Sequence, residues 1–130
     1  MSETRPALIA IVDDEEAVCK ALQRLMRSAG FAAETFNSGA DFLDSLRTRL
    51  PHCVILDLHM PGTNGFDVLN RLASEGVPVP AIVVTGNDTD DAGARALASG
   101  AVAYLRKPVD DRTLLDALTF LKNRDRRATT

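Results

Sequence analysis

Asp13-Asp14, Asp57, Thr85 and Lys107 each follow a short apolar run of this 130-residue chain. Three carboxylates brought together repel one another, which raises some of their pKa values unless a cation joins them. A hard divalent ion such as Mg²⁺ prefers oxygen ligands and keeps waters that phosphate oxygens can replace. The Lys107 ammonium is a point charge suited to a phosphoryl oxygen. A carboxylate can itself be the nucleophile that accepts a phosphoryl group. Phosphoryl transfer asks mainly for positioning and charge neutralisation, and this set of side chains supplies both. Neither GxGxxG nor GxxxxGK[ST] occurs, so the expected donor is a small molecule or a protein rather than a nucleotide held in its own pocket.

The elements that must position these residues alternate along the chain. Ala7–Val12, Cys53–Leu56 and Ala81–Val84 are unbroken apolar runs, the pattern of strands covered on both faces. Phe31–Phe36 and Ala101–Leu105 complete a set of five strands. Apolar residues recur at helical spacing from Ala17 to Ala29, closed by Gly30. A second helix, capped by Asn37 or Ser38, is expected to run to about Leu50 with Phe42, Leu43, Leu46 and Leu50 inward. Phe66, Leu69, Leu72 and Ala73 mark a third helix, closed by Gly76. Ala92–Ser99 reads as a weak helix containing Gly93, anchored mainly by Leu97 and the loosest of the set. Leu114, Leu115, Leu118 and Leu121 form the seam of the last. Strands separated by helices pair in parallel, which predicts an α/β fold: a doubly wound (βα)5 sandwich, flavodoxin-like, its five-stranded parallel sheet covered by helices on both faces. Ligands of such sheets bind outside the carboxyl ends of the strands, where all the reactive residues fall.

Composition narrows the function classes. With 45% hydrophobic and 25% charged residues the chain has an ordinary globular balance, and 15 basic against 18 acidic residues leave a net charge of −3. A mildly acidic domain lacks the basic face that direct nucleic-acid binding needs. No apolar stretch approaches the ~20 residues of a membrane span. The segment Met1–Pro6 has no export-signal layout, and Cys19 and Cys53 have neither a disulfide framework nor metal-ligand spacing, so a cytoplasmic location is expected.

Taken together, these residues resemble the receiver domain of two-component response regulators over about Leu8 to Leu121. The resemblance rests on Asp13-Asp14, on Asp57-Leu58-His59-Met60-Pro61-Gly62-Thr63-Asn64-Gly65, on Thr85-Gly86 and on Tyr104-Leu105-Arg106-Lys107-Pro108, in order and each at a strand end. Thr85-Gly86 and Gly100-Ala101 are most similar to the FixJ-like branch. The resemblance implies a non-enzymatic, phosphorylation-dependent switch with at most intrinsic autophosphorylation and autodephosphorylation. Asp57 would accept the phosphoryl group from a histidine kinase or a small phosphodonor, with Thr85 and Lys107 contacting it. Mg²⁺ would be held by Asp14, by Asp13 largely through water, by Asp57 and by the carbonyl of His59. Thr85 would draw its loop inward, Tyr104 would follow, and the Lys107–Pro108 bond would be cis. His59 and Asn87 would tune how long the phosphate persists. The surface of the last two helices would then act on an output domain or effector protein, with phosphorylation-driven homodimerisation possible for the family.

Each residue also has a plainer reading. Asp13 and Asp14 suit a helix N-cap, Thr85 a strand or cap, Lys107 a solvated turn, and Tyr104 simple packing. His59 is expected to be an exposed loop side chain. Lys122–Arg127 carries a net charge of +3 and reads as a solvated helix end or the start of a linker. Residues 1–121 are accordingly taken as the receiver domain and 122–130 as a basic polar tail or linker. The helix-turn-helix output domain usual in the FixJ-like branch is not in these 130 residues, which suit a single-domain regulator or an excised receiver. Rival readings are a haloacid-dehalogenase-like phosphatase, a flavin carrier, and a degenerate receiver acting by protein binding alone. The first wants an acid two residues after Asp57, where His59 stands. The second wants a hydroxyl-rich phosphate loop where Asp13-Asp14-Glu15-Glu16 would repel FMN.

Overall fold

The computed structural model describes residues 6–60, 62, 64–86 and 91–128, with side chains as far as residue 123. Pro61, Thr63, Asn87 and the side chains of the basic tail from residue 124 onward lie outside the described residues. Strands and helices alternate as β1 (Leu8–Val12), α1 (Glu16–Ser28), β2 (Ala32–Phe36), α2 (Gly39–Ser45), β3 (Cys53–Asp57), α3 (Gly65–Ser74), β4 (Ala81–Thr85), α4 (Ala92–Ala98), β5 (Ala103–Arg106) and α5 (Asp111–Ala128). All pairings are parallel, in the order β2-β1-β3-β4-β5. The order reverses at β1 and β3, so the crevice of the sheet opens between their carboxyl ends. Among the described residues no helix is long and apolar enough to cross a membrane.

Every residue of β3 and β4 is buried, which is why these strands read as continuous apolar runs rather than alternating ones. Successive side chains still divide between two cores. Ile55 and Val84 pack with Met26 of α1 and with Leu114 and Leu118 of α5. Leu56 and Val83 pack with Phe42 of α2, Val68 and Leu69 of α3, and Ala92 and Ala96 of α4.

Two helices differ from expectation. The second stops at Ser45 instead of running to Leu50, and Leu50 is exposed. After Phe42 the backbone changes to i→i+3 hydrogen bonds, Leu46 to Leu43, Arg47 to Asp44 and Thr48 to Ser45. The Ser45 hydroxyl also bonds the Phe42 carbonyl at 2.6 Å, competing with the helical ladder. In α4 the anchor is not Leu97, which is half exposed, but Ala92 and Ala96. The Tyr104 ring lies against this helix so closely that a Cβ at Gly93 would fall 2.8 Å from Tyr104 Cδ2. Only glycine lets strand and helix meet there. The cap of α2 is Ser38, whose hydroxyl accepts from the Asp41 N–H.

Candidate functional site

The carboxyl ends of β1, β3, β4 and β5 carry Asp13-Asp14, Asp57, Thr85 and Lys107 to one edge of the sheet. Asp57 continues the alternation of Cys53 and Ile55, toward the α1–α5 core, while Thr85 continues that of Ala81 and Val83, toward α4. The α3 N-terminus closes tightly under the site. A Cβ at Gly65 would lie 2.7 Å from the Asp57 carbonyl oxygen, so glycine is needed for that approach. Asn64 and Asp67 then start α3 with a reciprocal capping box.

Asp13 is buried and fixed at both carboxylate oxygens. Its Oδ1 accepts the Glu15 N–H at 2.9 Å and its Oδ2 accepts from Lys107 Nζ at 3.0 Å. The N-cap of α1 is Glu15, so Asp13 and Asp14 do not cap the helix; Asp13 instead holds the N–H of the cap residue and pairs with Lys107. The Cys19 thiol donates to the Asp13 carbonyl at 3.3 Å and ties α1 to the end of β1. Burial, with the Asp13 charge beside it, pushes that thiol above its ordinary pKa, which suits a structural cysteine.

Carboxylate oxygens of Asp13, Asp14 and Asp57 lie within 4.8 Å of one another. Lys107 Nζ is also 3.8 Å from Asp57 Oδ2 and 3.7 Å from Glu15 Oε1. Burial first, and then the charge of Asp13, push the Asp57 carboxyl up to about 6, against the opposing pull of Lys107 and the His59 N–H. That N–H donates to Asp57 Oδ1 at 3.3 Å. Burial works against the Lys107 ammonium, but hydrogen bonding to Asp13 and the charges of Asp57, Asp13 and Glu15 outweigh it, so its pKa lies above the ordinary lysine value. The cleft so formed is about 280 Å³ and is lined by Asp14, Glu15, Asp57, His59, Gly86 and Lys107. The Lys107 stem passes over Gly86, where a Cβ would meet it at 3.3 Å. Lys107–Pro108 is cis.

Thr85 is completely buried and its hydroxyl has no hydrogen-bond partner among the described residues. An orphan hydroxyl at that depth is costly and calls for an explanation. Tyr104 is half buried beside the α4 core. His59 presents an exposed side chain. His52 is exposed, and its Nδ1 accepts the Leu8 N–H at 3.1 Å, joining the starts of β3 and β1. It forms no dyad with Cys53, whose thiol burial pushes up to about 12.

Sequence reasoning brought together Asp13, Asp14, Asp57, His59 and Lys107, and the structure gathers all five. It did not assign Glu15 to the site, naming it only in the acidic run that would repel FMN. The signal was partial: Glu15 continues the run of acids at the end of a buried strand, but the next acid, Glu16, pairs with Lys20 along α1 instead.

The donor set fits a divalent cation. Three converging carboxylates, one of them held partly protonated by burial and a like charge, are what such an ion would relieve.

The family model of the response regulator receiver domain matches residues 9–119. Nodulation protein W of Bradyrhizobium diazoefficiens is 34% identical over 121 residues, covering 93% of this chain and 53% of that protein. The transcriptional regulatory protein FixJ of the same organism is 35% identical over 103 residues, 79% of this chain and 50% of FixJ. A response regulator receiver protein from Burkholderia phymatum superposes with a TM-score of 0.76 at 47% identity, covering 88% of this chain and 94% of that one. The chain spans about half the length of the curated relatives it matches. It belongs to the response regulator receiver domain family, whose members are phosphorylation-dependent signalling switches.

Proposed function

We propose that Asp57 is the phosphoryl acceptor of this receiver, supplied by a histidine kinase or a small phosphodonor. The observation that carries the reading is a buried carboxylate facing Lys107 between two further acids at the switch point of the sheet. A carboxylate oxygen of Asp57 forms the new bond to phosphorus, and the leaving group departs with the pair of the broken bond. Lys107, 3.8 Å from Asp57 Oδ2, supplies positive charge to the transferred group, and Asp13 holds its ammonium there. Asp13, Asp14, Asp57 and the His59 carbonyl are the residues that would hold Mg²⁺, which neutralises charge on the phosphoryl oxygens when bound.

The orphan hydroxyl of Thr85 supports its role as the group that bonds a phosphoryl oxygen once one is present. Binding it there shifts the balance between two conformations of the β4–α4 region, with Tyr104 following on the α4 side. The surface of α4, β5 and α5 then governs an output domain or effector protein, or pairing with a second copy. The helix α5 continues past residue 121 as far as Ala128. The free, buried Cys19 and Cys53 are in keeping with a cytoplasmic setting.

Intact-mass spectrometry after incubation with acetyl phosphate tests the assignment, with and without Mg²⁺, on wild type and Asp57→Asn. A Mg²⁺-dependent gain of one phosphoryl group is expected in wild type and none in the variant. Equal labelling of the variant would refute Asp57 as acceptor.

A further inference from the structure

We propose that Glu15 sets the receiver's preference among phosphodonors, disfavouring those with the greater negative charge. The inference rests on Asp57 being the acceptor. Glu15 occupies the N-cap position of α1 yet makes no side-chain cap hydrogen bond. Its side chain is left over from helix building. Its backbone N–H is held by Asp13 Oδ1 at 2.9 Å, which fixes where the side chain starts. From there Oε1 reaches to 3.7 Å from Lys107 Nζ, closer than Asp57 Oδ2 at 3.8 Å, while the side chain stays 66% exposed at the cleft mouth.

Charge accounting gives that position its effect. Asp13, Asp14 and Asp57 carry three negative charges, which one divalent cation and Lys107 balance. Glu15 is the charge in excess, and it stands where a donor must enter. An exposed carboxylate acts on an approaching ion through solvent, so its effect scales with the ion's charge and fades with salt. A donor whose phosphoryl charge is partly offset by a proton on the nitrogen it leaves, as in a phosphorylated imidazole with a protonated ring, is penalised less than a full dianion. Glu15 therefore tilts the site away from dianionic acyl phosphates and toward nitrogen-linked donors of lower net charge.

Two small donors of different charge test this. Acetyl phosphate enters as a dianion, and Asp57 displaces acetate. Phosphoramidate enters at neutral pH with a net charge of −1, and Asp57 displaces ammonia, which keeps the protons already on nitrogen. Second-order rates of phosphoryl gain would be followed by intact mass, with Mg²⁺ saturating for each variant. Glu15→Gln is expected to speed acetyl phosphate about threefold and phosphoramidate less than twofold, the size of effect one exposed charge produces. Glu15→Lys should widen both factors to roughly their squares, because it changes the charge by two, and Glu15→Asp should stay near wild type. Raising salt to about 1 M, where the Debye length is about 3 Å, should bring all the factors toward one. Equal factors for the two donors, factors that ignore salt, or slower variants would each overturn the role of Glu15 while leaving Asp57 as acceptor. If wild type gained no phosphoryl group from either donor, the acceptor assignment itself would fall, and this inference with it.

Discussion

The layer formed by α1 and α5 and the single helix α4 cover the same sheet from opposite sides, yet they are held by different means. The first is seated by Cys19, Met26, Leu114 and Leu118, all buried in one core. The second has seven residues, two buried alanines and a large side chain, Leu97, turned outward. Asp57, in the alternation that faces the α1–α5 core, depends on the well-seated layer, as does Asp13 through Cys19. Thr85 and Tyr104 lie on the side of α4. The contrast teaches a division of labour: groups that must not move are fixed by large buried side chains, and groups proposed to move lie beside a helix with little to lose.

The contrast can be broken most directly by removing a large anchor. Leu118→Ala in α5 is expected to cost about 3 kcal/mol in urea unfolding, the usual range for a fully buried leucine. A loss under about 1 kcal/mol would mean that the α1–α5 layer is no better seated than α4.

The next effect has the opposite sign. Asp57 has a pKa of about 6 in the folded chain, against an ordinary value of 3.8. Between those values the folded state keeps a proton that the unfolded state has lost, so ionising Asp57 weakens the fold as pH rises, and fully so above pH 6. Without Mg²⁺, Asp57→Asn should therefore stabilise the protein by about 3 kcal/mol at pH 8 and by almost nothing below about pH 4. Equal stability of the two proteins at pH 8 would show that the carboxylate cluster carries no such tension.

The smallest effect sharpens the other side of the contrast. Gly93→Ala gains about 1 kcal/mol of helix propensity but sets a methyl group against the Tyr104 ring. Amide exchange in α4 is expected to quicken about tenfold while that of α1 stays unchanged. Slower exchange in α4 would mean that the ring yields freely and the contact does not govern the helix.

Much of this was legible from the residues. The unbroken apolar runs identified buried parallel strands, and each run ended at a reactive side chain. Other features depended on contacts that no local pattern encodes. The strand order follows from how the crossovers pack. The period of α4 allowed Leu97 to point inward, but the inner positions went to Ala92 and Ala96, with Tyr104 of β5 against Gly93 of the same helix. The second helix lost its last turn to a serine that bonds backward. The Thr85 hydroxyl without a partner among the described residues and the approach of Glu15 to Lys107 are tertiary facts, although the run of acids after β1 hinted at the second.

The contact between Gly93 and Tyr104 has an optical consequence. The chain contains one tyrosine and no tryptophan. Its near-ultraviolet emission therefore comes from the ring that lies on α4, and phenylalanine adds nothing at that wavelength. Any displacement of this helix relative to β5 alters the quenching and polarity around a single fluorophore. The protein thus carries its own reporter, and its response to a phosphodonor can be followed in a cuvette with no dye attached.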